Sequence, residues 1–443
     1  MNRNTFKSEV INGEAGHYVL RGGAGTGKTH LAVQIIKELM QRGKDKIAVV
    51  APSHKARQNF QAMLLEQGIT PNQVKVQTVQ KFLGKRPDYD FTKKDVAKAE
   101  KFLYTRPKSV IKYDLVVIDE FGMLDVKDAQ AFKRYADKRL FVGDEAQLPN
   151  PDTTSKPIKI ERLLKSAKAH TVLTINHRIK NEELQEIADI ARNNPSAIKP
   201  SVSLQNAINA FLDECKTTDD IAFIVPTNEI VEKISKRLNG KVLLSHNQAE
   251  FNYFGRDSDD AEDFTIFNGD VVELDRELTR VPDLGIKGWH TPFYLSPKHS
   301  INAELFEKLN AETEVYKFKS HPKIPFLRVY RGTLTSLRAN YIQKVWNSYR
   351  AYAEVLQKRY ELDNPNLIWG IELEDKESST LKQLYTDLMT VKNILALTDA
   401  RVFTIYKAQG STIGTVYTTI PKRAAELYVA VTRASEKLVI VGE

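Results

Sequence analysis

Residues 22–29 read Gly-Gly-Ala-Gly-Thr-Gly-Lys-Thr, and few octets restrict a fold so tightly. The glycines let the backbone curl until its N–H groups surround an anion, and a helix starting there adds its positive end. Lys28 is then placed to reach the β- and γ-phosphates of a nucleotide, and the Thr29 hydroxyl to coordinate Mg²⁺. The flanks agree. His17, Tyr18, Val19 and Leu20 form a short apolar run, and Leu31, Ile35, Ile36, Leu39 and Met40 recur at helical spacing until Gly43. A strand, a phosphate loop and a helix follow one another, so a nucleoside triphosphate is the expected ligand. Gly22, Gly23, Ala24, Gly25, Thr26, Gly27, Lys28 and Thr29 are the residues expected to hold it.

Such a unit belongs in a parallel α/β sheet, and the chain continues in that rhythm. Apolar runs at 47–50, 74–79, 115–118, 140–142 and 172–174 read as strands of a first core. Runs at 221–225, 402–405, 416–417 and 438–440, with a helix over 424–432, read as a second. Two stretches break the pattern. Residues 84–110 are charged and aromatic, with Tyr89, Phe91, Phe102 and Tyr104. Residues 272–395 open with strand-like pieces and continue into long polar helices such as 334–358, and hold Trp289, Trp346 and Trp369. The 443 residues suffice for two or three domains. No run of about 18 apolar residues occurs, so no membrane partner is expected. The start, Met-Asn-Arg-Asn-Thr-Phe-Lys, does not resemble a secretory signal. The single cysteine, Cys215, excludes a cysteine-rich zinc site and suits a reducing cytoplasm. A net charge of +9 favours a polyanionic partner.

Two acidic segments follow buried runs. Asp119 and Glu120 end the run 115–118, where a phosphate-loop hydrolase places a magnesium aspartate and a carboxylate that activates water. Gly143-Asp144-Glu145-Ala146-Gln147-Leu148-Pro149 ends the next. This second segment resembles motif III of superfamily 1 helicases, in which Gln147 senses the γ-phosphate. Other segments match that family in order. Residues 51–56, with Pro52 and His54, resemble motif Ia, and residues 77–80, with Thr78, stand where motif Ib falls. Gln80 occupies a position where the family usually has histidine. Asn176-His177-Arg178 resembles motif IV, and Pro226-Thr227-Asn228 a DNA-contacting Thr-Asn. Asn268-Gly269-Asp270 resembles the element that opens an inserted barrel. Residues 404–411, with Tyr406 in place of the common histidine, resemble motif V. Residues 428–434, through Arg433, resemble motif VI.

The chain is therefore similar to class B of the superfamily, the RecD-like group with its compact phage members of Dda type. The resemblance implies an α/β fold of two RecA-like parallel-sheet cores. A small pin would be inserted in the first core, and a β-barrel plus helices in the second. The expected boundaries are 1–83 and 111–200 for the first core and 84–110 for the pin. The second core takes 201–271 and 396–443, with 272–395 as its insertion. It implies an ATP- and Mg²⁺-dependent DNA helicase, a monomer travelling 5′ to 3′ on single-stranded DNA and opening the duplex at a fork. Single-strand-binding and replication proteins would be its companions, in the cytoplasm of a cell or phage host. Catalysis would fall to Lys28, Glu120, Gln147, Arg178 and Arg433, with Thr29 and Asp119 on the metal and Gly410 on the nucleotide side. Pro52, His54, Thr78, Thr227, Asn228, Tyr406 and Lys407 would contact DNA, and Phe102 or Tyr104 would be the wedge. Residues 1–21 lack the glutamine that reads adenine in the family, so other nucleotides stay open. So do two other readings, a translocase that strips proteins from DNA and a phosphate-loop switch without DNA.

Overall fold

In a computed structural model, the structure describes residues 1–104, 111–146, 148, 160–179, 181–238, 242–246, 249–252, 263–266, 270–277, 301–318 and 326–442. The chain divides into two compact units. One comprises Met1–Arg86, Tyr104–Pro226 and Thr404–Glu443, and the other Pro87–Leu103 and Thr227–Phe403.

Two parallel sheets form the frame of the first unit. One has six strands in the order Val74–Thr78, Ile47–Ala51, Leu115–Ile118, Lys138–Gly143, Gly16–Gly22, Ala169–Leu173. Central strands of a parallel sheet are covered on both faces and so read as unbroken apolar runs. Ile47–Ala51 and Leu115–Ile118 are buried at every position for that reason. Alternate residues feed opposite layers, as the strand period of two requires. Leu20, Val49, Val117 and Leu140 join the cluster beneath helices Arg3–Asn12, Lys28–Gln41 and His54–Glu66. Val19, Val50, Val116 and Phe141 join the cluster around Phe82, Phe121 and Phe132 on the other face. In the second sheet Ile221–Val225, Ile413–Thr419, Ala434–Gly442 and Val202–Ser203 lie side by side in that order, all parallel. Helix Ala424–Val431, buried along most of its length, leads back into it. The two RecA-like sheets expected from the sequence are thus present.

The second unit contains a closed barrel of Val242–Ser245, Val271–Glu277, Glu314–Phe318, Phe326–Arg331 and Leu395–Asp399. Sequence had drawn this insertion over 272–395. A short apolar strand reads alike in a barrel and in a parallel sheet, and only pairing tells them apart. The helix expected over 334–358 is interrupted. Leu334–Leu337 passes through a π turn, Arg338–Ile342, into Gln343–Arg359. The wider turn accommodates consecutive buried residues, Tyr341 and Ile342, before Val345, Trp346 and Tyr349 resume the helical stripe.

Residues 85–104 form a hairpin of Lys85–Tyr89 and Glu100–Tyr104 with a one-turn helix, Val96–Ala99, between. Tyr89 and Phe91 pack against helix Gln343–Arg359. Phe91 stacks on Trp346 with centroids 5.4 Å apart and meets Tyr349 edge-on at 4.9 Å. Trp346 Nε1 donates to Lys93 O at 3.1 Å, and Gln343 bonds both Val96 N and Lys94 O. Lys392 joins Glu100 at 2.7 Å and also donates to the Tyr89 hydroxyl. Phe102 and Tyr104 fall on the second strand of the hairpin, and their side chains lie outside the described residues.

Trp346→Ala would remove the ring on which this cluster is built, at a cost of about 3–5 kcal/mol. Urea unfolding followed by circular dichroism should show a lowered midpoint, and limited proteolysis should cut sooner within residues 87–103. A variant that unfolds like the wild type would show that the hairpin is held by other contacts.

Candidate active site

Helix Lys28–Gln41 begins differently from its neighbours. Ser53 and Thr227 cap the helices that follow them by accepting an N–H in the first turn. Here the cap position is Gly27 at φ 81°, which has no side chain to do so. First-turn N–H groups without an internal partner are what binds an anion. Lys28 is buried and folds over the loop, its Nζ donating to Gly22 O and Gly23 O at 2.9 Å each. Thr26 Oγ1 donates to Gly23 O at 2.9 Å, and Thr29 follows on the first turn.

The loop is clamped by the segment 176–179. His177 N donates to Gly25 O at 2.8 Å, and Asn176 Oδ1 accepts from Arg178 N and Ile179 N. Gly25 adopts φ 78°, and a Cβ there would lie 2.5 Å from both Arg178 Cβ and Asn176 Oδ1. No other residue fits.

Asp119 and Glu120 follow the buried strand Leu115–Ile118, as the sequence suggested. Asp119 is buried, and burial with the nearby Glu120 charge pushes its carboxyl up to about 7, against the pull of Lys28. A divalent cation there would remove that penalty. Glu120 sits at φ 47°, ψ 51°, left-handed and strained by about 1–2 kcal/mol for a residue with a Cβ. Strain of this kind persists where surrounding structure holds a side chain in a working direction.

Arg433 is completely buried. Its Nε donates to Val429 O at 3.0 Å, Nη2 to Thr432 Oγ1 at 3.0 Å and Nη1 to Ser411 O at 3.4 Å. Burial pushes its guanidinium down to about 9, and the Arg178 charge adds to the effect while Glu120 opposes it. Arg178 is lowered for the same leading reason, and its Nη1 is enclosed without a hydrogen-bond partner among the described residues. Two neighbouring guanidiniums taken out of water need a counter-charge, and a triphosphate held by the loop supplies one. The residues present therefore fit a nucleotide. Among the described residues no cluster of three His, Cys, Asp or Glu could hold a metal alone. Thr29 and Asp119 carry the hydroxyl and carboxylate oxygens that Mg²⁺ would take.

Gln147, Asn268 and Gly269 lie outside the described residues. Gly410, at the end of the short helix Ile405–Ala408, accepts Asn59 Nδ2 at 3.1 Å. Pro52 and His54 stand at the start of helix His54–Glu66. Thr78 is buried and caps the turn Val79–Phe82, and Thr227 caps Asn228–Ser235. Asn228 Nδ2 donates to Thr335 Oγ1 at 2.7 Å. The Tyr406 hydroxyl accepts from Arg423 at 3.4 Å. Lys407 is half-buried, and desolvation pushes its ammonium down to about 7. Asp144, Arg192 and Tyr428, to which sequence reading assigns no role, meet beside the loop. Nothing in the spacing of Arg192, ten residues beyond Glu182 on its helix, could have found it.

Residues 8–151 match the family described as an AAA domain, and residues 399–441 match the UvrD-like helicase C-terminal domain. The two matches lie at opposite ends of the chain, one on the part that holds the phosphate loop and the other on the part that holds Arg433. It is 24% identical over 202 residues to the RecBCD enzyme subunit RecD of Buchnera aphidicola subsp. Schizaphis graminum. That match takes in 38% of this chain and 31% of RecD, so the chain spans about a third of that relative. Among solved structures, Bacteroides Pif1 bound to single-stranded DNA aligns with TM-score 0.44 and 15% identity, over 99% of this chain and 92% of that one. Pif1 helicase from Candida albicans aligns with TM-score 0.43 and 14% identity, over 99% and 94%.

Gly25→Ala should weaken binding of a fluorescent ATP analogue by about tenfold or more, since strain of about 1–3 kcal/mol would fall on the loop. Unchanged affinity would show that the clamp from 176–179 can yield.

Proposed function

We propose that the chain is an ATP-dependent DNA helicase that moves 5′ to 3′ along single-stranded DNA and separates duplex at a fork. One observation carries the reading. Arg433, entering from the second sheet, is buried within the electrostatic reach of Arg178 and Glu120, beside a phosphate loop of the first. A phosphate-loop switch needs no arginine from a second sheet. A motor does, because nucleotide must bind both cores to draw them together.

Hydrolysis follows from the residues already described. Backbone amides of Gly25 to Thr29 and the Lys28 ammonium hold the phosphates. Thr29 and Asp119 would hold Mg²⁺, which would supply neutralising charge to the phosphates. Glu120 takes a proton from the attacking water, and Arg178 and Arg433 stabilise charge gathering on the γ-phosphate. Gln147 senses whether that phosphate is present. Each cycle closes and opens the cleft, and DNA is carried along by alternating grip. Pro52, His54, Thr78, Thr227, Asn228, Tyr406 and Lys407 are assigned to the DNA track, where sequence-independent contacts to phosphate and base faces suffice. The hairpin carrying Phe102 and Tyr104 is assigned the wedge. Its anchoring through Phe91 and Trp346 gives a splitting element the stiffness it needs.

Glu120→Gln keeps the shape of the side chain but cannot accept a proton. It should bind nucleotide normally while DNA-stimulated ATP hydrolysis falls by about 10² or more. Near-normal turnover would sink the assignment.

Partial duplexes with a 5′ or a 3′ tail give the second test. Unwinding is expected from the 5′ tail alone. A 3′ preference would reverse the polarity, and stimulated hydrolysis without unwinding from either tail would favour the translocase.

A further inference from the structure

The Tyr428 hydroxyl is shared by three segments distant in sequence. It accepts from Ala24 N of the phosphate loop at 3.4 Å and from Arg192 Nη1 on helix Glu182–Asn193 at 3.1 Å. It donates to Asp144 Oδ2, beyond strand Lys138–Gly143, at 3.1 Å. A phenol has one proton and two lone pairs, so all its capacity is used. Burial and the Asp144 charge both push this hydroxyl up from its ordinary value, which keeps its proton on and its donation to Asp144 intact. Asp144 is itself buried and also accepts Arg192 Nη2 at 3.4 Å and Ala146 N at 3.0 Å.

The ring of Tyr428 packs with Ala191, Leu427, Val431 and Ile440, with the Arg192 guanidinium 5.3 Å from its centroid. Packing therefore needs the ring, and only the loop and the two charged groups need the oxygen. Gly23 shows how closely the hydroxyl approaches. A Cβ at Gly23 would stand 3.0 Å from the Tyr428 oxygen and 3.2 Å from Arg192 Nη1.

The other end of the same residue leads to Arg433. Tyr428 O accepts Thr432 Oγ1 at 2.8 Å, and Thr432 Oγ1 accepts Arg433 Nη2 at 3.0 Å. One tyrosine thus ties the phosphate loop through its hydroxyl and the buried arginine through its carbonyl. We propose that Tyr428 is a positioning residue that sets Arg433 against the phosphate loop, with Asp144 and Arg192 holding the hydroxyl in place. It acts through Arg433, so its loss should slow the chemical step and leave nucleotide binding alone. This rests on the reading of the chain as an ATP hydrolase whose turnover uses Arg433.

The test uses the full chain and Tyr428→Phe, which retains the ring. Thermal unfolding and affinity for a fluorescent ATP analogue should match the wild type. DNA-stimulated kcat should fall by about tenfold, the effect of one hydrogen bond to a charged group. Asp144→Asn, which keeps the shape but weakens the acceptor, should move kcat the same way. Tyr428→Phe should add little on top of Arg433→Lys, which is severe alone, because the group that the tyrosine positions is already altered. An unchanged kcat would overturn the proposal, and so would full additivity of the two substitutions. A fall in unfolding temperature together with weaker nucleotide binding would overturn it too, by showing that the oxygen serves only to hold the fold. If the wild type itself fails to hydrolyse ATP, it is the functional reading that fails.

Discussion

Positive charge collected around one loop is the constraint to which the rest of the first unit answers. Lys28, Arg178 and Arg433 converge on backbone that offers uncapped N–H groups, and two of the three are buried. Like charges out of water repel, and each loses hydration that protein dipoles replace only in part. Local hydrogen bonds restrain them. Lys28 is tied to Gly22 and Gly23, and Arg433 to Val429, Thr432 and Ser411. The arrangement is stable enough to form and unbalanced enough to favour a polyanion. Its parts come from two sheets, as the proposed two-core motor requires.

The second unit is organised around aromatic packing rather than charge. Trp346, Tyr349 and Tyr341 are buried along one helix, and Phe91 from a distant hairpin completes their cluster. At its rim Gln343 and Trp346 serve backbone of residues 93–96. A hairpin of this length cannot bury enough apolar surface to hold itself. It takes its rigidity from a helix some 250 residues away in sequence, which explains why the insertion looked isolated when read along the chain.

Legibility followed the range of the interaction. The phosphate loop, Asp119–Glu120 and the apolar strands were readable because each is set by neighbours in sequence: glycine torsions, a strand ending in carboxylates, a run covered on both faces. Segments 176–178 and 428–434 were readable as motifs, yet only the tertiary structure gave their surroundings. The clamp of His177 on Gly25 and the burial of Arg433 are contacts across more than 150 residues or between sheets. Barrel strands at Val242–Ser245 and Leu395–Asp399 carry the same local signal as sheet strands, so pairing alone could sort them. The π turn at Arg338–Ile342 left no local mark, since two adjacent apolar residues are compatible with an ordinary helix.

By itself, the sequence determined a phosphate loop set between a strand and a helix of a parallel α/β sheet, and a second sheet of the same class. Those features rest on backbone torsions and on the period of apolar residues, both fixed within a few positions. Tertiary structure alone decided where the hairpin 85–104 is anchored, which polar atoms meet beside the loop, and that Tyr428 joins loop and arginine. Such contacts depend on the distance between segments far apart in the chain. No local pattern encodes that distance until the cores have packed.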